Sequence, residues 1–180
     1  MDADGRAAGG LTGAAMSLPA GWRPNGAPYW DDEHNAYGAK LMDGTDALLL
    51  GRATYEGFAQ AWPARSGDPY TDKINAMPKY VASRTLTEAT WNATIIEGDA
   101  AEAVAELKQQ PGGNLLKYGT GEFSKMLLDA GLIDELHLWV FPVVAGKGDR
   151  LLEGLDLTHL KLIDSTTFAS GIVVHALAPA

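Results

Sequence analysis

Three short clusters in this sequence carry residue types and spacings suited to holding an anion. The first is Gly119-Thr120-Gly121, immediately after the apolar run 115–118 and immediately before a helical pattern. Glycines at a strand-to-helix turn let the backbone approach a ligand closely, and the helix that follows offers unpaired N–H groups and its positive dipole end. The same turn could use glycine for conformational reasons alone. A Rossmann fingerprint would also need a third small residue, an acid about 20 residues further on, and a place early in the fold. Ser124 fills the third place, but Asp134 and Glu135 come too soon and the motif lies late in the chain, so the ordinary Rossmann reading fails.

Two other clusters repeat the logic. Leu48-Leu49-Leu50 runs into Gly51-Arg52-Ala53-Thr54-Tyr55, and Tyr80-Val81-Ala82 runs into Ser83-Arg84-Thr85. Each sets a hydroxyl and a guanidinium just past a strand, and the fixed fork of arginine suits a phosphate. Ligands of open α/β sheets collect at the carboxyl ends of strands, so three such ends predict one anion-binding edge. The competing reading leaves Arg52 and Arg84 solvated or paired with the abundant carboxylates. Hydrolytic and metal signatures are missing: there is no G-x-S-x-G elbow, no H-E-x-x-H and no G-x-x-x-x-G-K-[ST] loop. The histidines His34, His137, His159 and His175 are far apart, with no pair at helical ligand spacing. His137 reads as a sheet-facing or solvent histidine within a strand.

The elements that must position these clusters alternate from residue 31 onward. Patterning predicts a helix near 31–43, a strand at 46–50, a helix over 54–61 and a short helix near 70–76. Strands follow at Lys79–Ala82 and 92–96. Asp99 with Glu102 three residues on forms a capping-box signature, and Pro111-Gly112-Gly113 stops the helix it opens. A strand at 115–118, a helix over 121–130 closed by Gly131, and a strand at 136–141 come next. Strands at 160–168 and 172–177, joined at Ala169-Ser170-Gly171, read as a terminal hairpin. Strand–helix–strand alternation ending in a hairpin predicts an α/β domain with a mixed, mostly parallel sheet and an antiparallel end. Residues 1–30, rich in glycine with Pro19, Pro24 and Pro28, read as mostly loop.

Composition bounds the class. The chain has 180 residues, of which 46% are hydrophobic and 21% charged, the profile of one globular domain spanning 1–180. It has no cysteine, which excludes disulfides, thiolate nucleophiles and cysteine-held metals. Fourteen basic against 23 acidic side chains leave a formal charge of −9, opposed to nucleic acid and to an anionic membrane surface as partners. One anionic cofactor remains compatible, since it needs only a few local donors. No apolar run reaches the roughly 20 residues of a membrane helix, and the acidic, glycine-rich start is unlike a secretory signal. Together with the missing cysteine this points to the cytoplasm.

The combination Gly51-Arg52-x-Thr54-Tyr55, Ser83-Arg84-Thr85 and Gly119-Thr120-Gly121 resembles the dihydrofolate reductase-like superfamily. The closer resemblance is to the RibD C-terminal domain, the reductase domain of riboflavin biosynthesis, and its stand-alone relatives. Ile133-Asp134-Glu135-Leu136, then Phe141-Pro142-Val143-Val144-x-Gly146-x-Gly148 and Leu151-Leu152, is similar to the late strand and loop of that branch. The resemblance implies a three-layer α/β/α fold, NADPH as hydride donor and a homodimer. It implies that Gly51, Arg52 and Thr54 hold the pyrophosphate or a ribose phosphate, and that Ser83 and Arg84 contact the adenosine 2′-phosphate. Gly119, Thr120, Gly121 and Glu122 would lie against the pyrophosphate. Asp4-Gly5 aligns with the turn after the family's first strand, and the short stretch before it leads to the expectation that this strand is missing.

On the substrate side, Asp31 and Asp32 read first as an N-cap and a first-turn charge. Alternatively, Asp32 or Asp4 is the carboxylate that delivers a proton to the substrate. Trp22, Tyr29, Trp30 and Trp62 offer flat apolar surfaces for a heterocycle, or ordinary packing. The expected activity is NADPH-dependent reduction of a C=N, C=C or C=O bond in a small, pterin- or pyrimidine-like substrate. A full riboflavin-pathway role is disfavoured, with no deaminase domain and few spare basic residues for a ribose phosphate. The alternative from another class is a catalytically silent nucleotide- or ligand-binding dimer with the same fold.

Overall fold

The computed structural model describes residues 31–144, 146 and 150–180, residue 29, and the backbone of 11–15. One eight-stranded sheet runs through it, formed by β1 (Leu11–Ala15), β2 (Thr45–Gly51), β3 (Lys79–Ala82), β4 (Ala93–Ile95), β5 (Asn114–Tyr118), β6 (Glu135–Val140), β7 (Leu160–Thr167) and β8 (Val173–Pro179). The strand order is β4-β3-β2-β5-β1-β6-β8-β7. The first six are parallel to one another, and β8 and β7 close the sheet antiparallel to β6 and to each other. The mixed sheet with a terminal hairpin therefore stands as expected.

The helices α1 (Asp32–Met42), α2 (Arg52–Ala61), α3 (Pro69–Ala76), α4 (Ala100–Gln109) and α5 (Glu122–Asp129) make the outer layers. Their placement explains the unbroken apolar run of β2. Leu48 and Leu50 pack with Met42, Tyr55, Ile74 and Leu116 toward α1, α2 and α3, whereas Ala47 and Leu49 pack with Val104, Leu115 and Leu127 toward α4 and α5. A parallel strand covered on both faces needs apolar side chains at successive positions rather than alternating ones. A third cluster, of Tyr37, Phe168, Ile172 and Val174, lies where α1 crosses the β6–β8 end.

The expectation of a missing first strand is corrected. The slot between β5 and β6 holds β1, with Ala14 opposite Tyr118 on one side and His137 on the other, so residues 1–30 are not all loop. Leu11-Thr12-Gly13-Ala14-Ala15 shows no alternation, and glycine and alanine are depleted in strands. Backbone pairing on both edges makes this segment a strand, and no local signal reports such pairing. Elsewhere the elements begin and end within about two residues of their expected limits.

Helix ends divide into two kinds. The side chains of Asp31, Asp68 and Asp99 accept backbone N–H bonds at the starts of α1, α3 and α4. Helices α2 and α5 begin instead at Gly51 and Gly121, with no side-chain cap. These two follow β2 and β5, which are neighbours in the sheet.

Candidate functional site

The three sequence clusters meet at the carboxyl ends of adjacent strands. Leu50 on β2 lies opposite both Val81 on β3 and Tyr118 on β5, and Gly51 lies opposite Ala82. The segments that follow, starting at Arg52, Ser83 and Gly119, therefore leave the sheet side by side. The β2 and β5 junctions also touch: a Cβ placed on Gly119 would lie 2.6 Å from Thr54 Oγ1, and one on Gly51 would lie 3.9 Å from Phe123 Cβ. Gly119 has φ +81°, in the left-handed region that glycine enters without steric cost. No described residue lies within 4 Å of a Cβ added at Gly121. The result is a backbone cradle with two helix starts that carry no side-chain cap among the described residues.

Each predicted residue has a definite place. Arg52 is exposed at the start of α2 and pairs with Glu56 at 3.1 Å; such a pair is worth only about 0.3–0.5 kcal/mol and gives way readily to a phosphate. Thr54 is half-buried against Gly119. Ser83 Oγ accepts the N–H groups of Thr85 and Leu86, at 3.2 and 2.9 Å, which folds the turn that presents the exposed Arg84. Among the described residues Arg84 has no ion-pair partner. Thr120 is half-buried and Glu122 is exposed, its carboxylate paired with Lys125. Asp31 caps α1 through His34 N–H at 2.9 Å, and Asp32 stands exposed in the first turn. Asp4, Trp22, Trp30 and Gly148 lie outside the described residues.

Helix α1 starts at the same end of the sheet. It leads into the amino end of β2 and runs antiparallel to the strands, and its Glu33 accepts the N–H of Ala169 in the β7–β8 turn at 2.5 Å. Tyr118, the last residue of β5, begins an aromatic wall beside the cradle. Its hydroxyl shares a hydrogen bond of 3.0 Å with Tyr70, and its ring lies 5.5 Å from that of Phe58. Trp62 extends the wall, 6.0 Å from Phe58 and 5.8 Å from Tyr70. Burial raises the pKa of both tyrosines, so both hydroxyls keep their protons at neutral pH. Tyr29 packs instead against Phe141, edge to face at 6.3 Å.

Sequence reasoning passed over two buried groups. Lys117 is 3% exposed on the α5 face of β5, and its Nζ donates to Gly119 O at 2.8 Å and to Ser124 Oγ at 2.7 Å. Burial pushes its pKa down to about 8. The signal was legible as a lysine inside the apolar strand Leu115-Leu116-Lys117-Tyr118, directly before the glycine turn. On the other face, Tyr37 of α1 shares a hydrogen bond of 2.8 Å with His137 Nδ1, whose Nε2 lies 3.1 Å from Glu135. Burial lowers the pKa of His137 and raises that of Tyr37 to about 12. The plain reading of His137 as a strand histidine holds in part: it is buried, and it pins α1 to the sheet.

Among the described residues no cluster of histidine and carboxylate side chains could hold a metal, and no helix is long and apolar enough to cross a membrane. The donor set at the strand ends suits a phosphorylated organic cofactor: glycine backbone, hydroxyls and two exposed guanidinium groups.

Comparison with known proteins agrees with this architecture. The family model of the RibD C-terminal domain matches residues 3–174. The uncharacterized protein YyaP of Bacillus subtilis (strain 168) is 34% identical over 139 residues, 74% of this chain and 73% of that protein. A pyrimidine reductase-like protein from Corynebacterium diphtheriae superposes with a TM-score of 0.66 at 13% identity, covering 96% of this chain and 92% of that one. Dihydrofolate reductase from Enterococcus faecalis, complexed with NADP(H) and RAB-propyl, superposes with a TM-score of 0.63 at 15% identity, covering 97% of this chain and 98% of that one. At such identities the structural likeness speaks for the fold alone.

Proposed function

We propose that this chain, which belongs to the RibD C-terminal domain family, is an NADPH-dependent reductase of a small heterocyclic substrate. The observation that carries the reading is the contact between the two glycine junctions. Gly119 packs against Thr54, and two neighbouring helices start there without a side-chain cap among the described residues. Oriented N–H groups and helix dipoles favour a diphosphate at that place. Arg84 and Ser83, one strand further out, are placed to take the adenosine 2′-phosphate, and Arg52 a second phosphate oxygen.

NADPH, when bound, supplies the hydride for a C=N, C=C or C=O bond. The protein's own share is positioning. The aromatic wall of Tyr118, Phe58, Trp62 and Tyr70 offers stacking surfaces on which a flat ring can be held at near-attack distance. A pterin- or pyrimidine-like substrate fits that wall. Asp32, exposed at the start of α1, is the carboxylate we assign to proton delivery among the described residues. Asp4 is a second carboxylate for that role. Within this reading the protein works in the cytoplasm as a homodimer. The edge strand β7, with exposed Leu162 and Ile163, supports pairing with a second copy.

The test is calorimetric or fluorescence titration with NADPH and NADH. Micromolar NADPH binding is expected, with NADH weaker. Arg84→Ala should weaken NADPH by about 10- to 100-fold, since a hydrogen bond to a charged group is worth about 1.5–3 kcal/mol, while NADH binding stays as it was. No binding of either nucleotide overturns the proposal. Tight binding without hydride transfer to any acceptor would leave the silent nucleotide-binding dimer instead.

A further inference from the structure

Lys117 is an unusual residue for the floor of a sheet. It is buried in the layer between β5 and α5, flanked in register by Leu49 of β2 and Gly13 of β1. Helix α5 presents to it the hydroxyl of Ser124 at 2.7 Å and the ring of Phe123, whose centroid lies 5.3 Å from Nζ. The charged groups of α5 nearest in sequence, Glu122 and Lys125, pair with each other. None of these partners is an anion, and burial is the sole cause of its lowered pKa. Burying an ammonium is costly unless it is paired, and this one, with no carboxylate partner among the described residues, bonds the carbonyl of the glycine turn.

Its contacts have a geometric consequence. Lys117 Nζ and Ser124 Oγ both donate to the carbonyl oxygen of Gly119, at 2.8 and 3.2 Å. In a trans peptide the carbonyl and the following N–H point in opposite directions. Drawing the Gly119 carbonyl inward therefore turns the Thr120 N–H outward, away from the protein interior.

We infer that Lys117 is a positioning residue of this site. It fixes the Gly119–Thr120 peptide with its N–H facing the bound phosphate and supplies, from below, the positive charge that the phosphate completes. The inference rests on the reading of this turn as a dinucleotide phosphate site. A bound phosphate would supply the negative charge that no described residue places beside Lys117 Nζ. By reciprocity, a bound diphosphate must hold the proton on Lys117 as firmly as that proton holds the diphosphate.

The experiment is NADPH titration of the full chain between about pH 7 and about pH 9.5, above the range in which phosphate itself titrates. A charge separated from the phosphate by one peptide acts at the effective dielectric of a protein interior, so affinity should fall on the order of tenfold as Lys117 loses its proton. Lys117→Met should bind on the order of tenfold more weakly at pH 7 and show a flat profile. Lys79→Met is the control: Lys79 is equally buried and is also held near 8, but it lies at the opposite, amino end of β3 and bonds Asn75 O at 2.9 Å. Its profile should match the parent's. If Lys117→Met does not fold, NMR titration of lysine side-chain carbons in the parent chain reads the same coupling, as a Lys117 midpoint that rises by about one unit with NADPH bound. Parent binding with a pH-independent affinity, a Lys117 midpoint unmoved by NADPH, or a Lys79→Met profile flattened like that of Lys117→Met overturns this inference alone. Absence of NADPH binding by the parent chain overturns the reading of the site and this inference with it.

Discussion

Replacing Gly119 with alanine should expose how tightly the two halves of the site are joined. Two penalties add at this position. The backbone has φ +81°, and holding an L-residue in the left-handed region costs about 1–2 kcal/mol. The new Cβ would also lie 2.6 Å from Thr54 Oγ1. Thr54 is β-branched and sits in the first turn of α2, so it moves aside only by leaving its rotamer, at about 0.5–1.5 kcal/mol, or by shifting the helix start. The expected total is about 1.5–3.5 kcal/mol of lost stability. Thr54→Ala removes the clashing hydroxyl, so the double variant should recover the contact share and keep the backbone share. Urea denaturation of all four proteins at 25 °C gives a coupling energy from the double-mutant cycle. We expect about 1 kcal/mol, with Gly119→Ala milder in the Thr54→Ala background. A coupling below about 0.3 kcal/mol would mean additivity, and the β2 and β5 junctions would not form one cradle.

Two further outcomes follow from the buried polar groups. Tyr37→Phe leaves the Nδ1 of buried His137 without its 2.8 Å partner, which should cost about 1–3 kcal/mol; an unchanged urea midpoint would refute the assignment of this pair as the pin between α1 and β6. Lys79 and Lys117 are held near 8 against 10.5 when unfolded, so between those values the unfolded chain binds more protons and stability rises with pH, by at most about 1.4 kcal/mol per unit for each lysine. That contribution is complete above 10.5 and lost as pH falls through 8, while Tyr37, raised from 10.0 to about 12, opposes it only above 10. The urea midpoint should therefore increase from pH 8 to about 9.5, and a flat or falling midpoint would show that neither lysine is desolvated as described.

Much of the architecture was legible because its signals are local. Asp99 announces α4 through its own side chain, which accepts the N–H groups of Ala101 and Glu102 at 2.8 and 3.0 Å. Gly131, with φ +65°, closes α5, and Gly171, with φ +87°, turns the terminal hairpin. The glycine, hydroxyl and arginine clusters were found the same way, since each lies within five residues of a recognisable strand end. What escaped depends on partners distant in the chain. Strand β1 exists through pairing with β5 and β6, more than 100 residues away. Tyr37 and His137 are likewise 100 positions apart.

The amino-acid sequence by itself determined the α/β alternation, the family and the three anion-friendly strand ends, because capping, turn chemistry and apolar patterning act over a few residues. Tertiary structure alone decided that two of those ends are in contact, that a side chain at position 119 would meet Thr54, and that a buried lysine bonds the carbonyl of the turn. Those facts arise from strand order. Placing β5 beside β2 brings residues 54 and 119 together and closes α5 over Lys117, and strand order is set by the burial of both sheet faces at once.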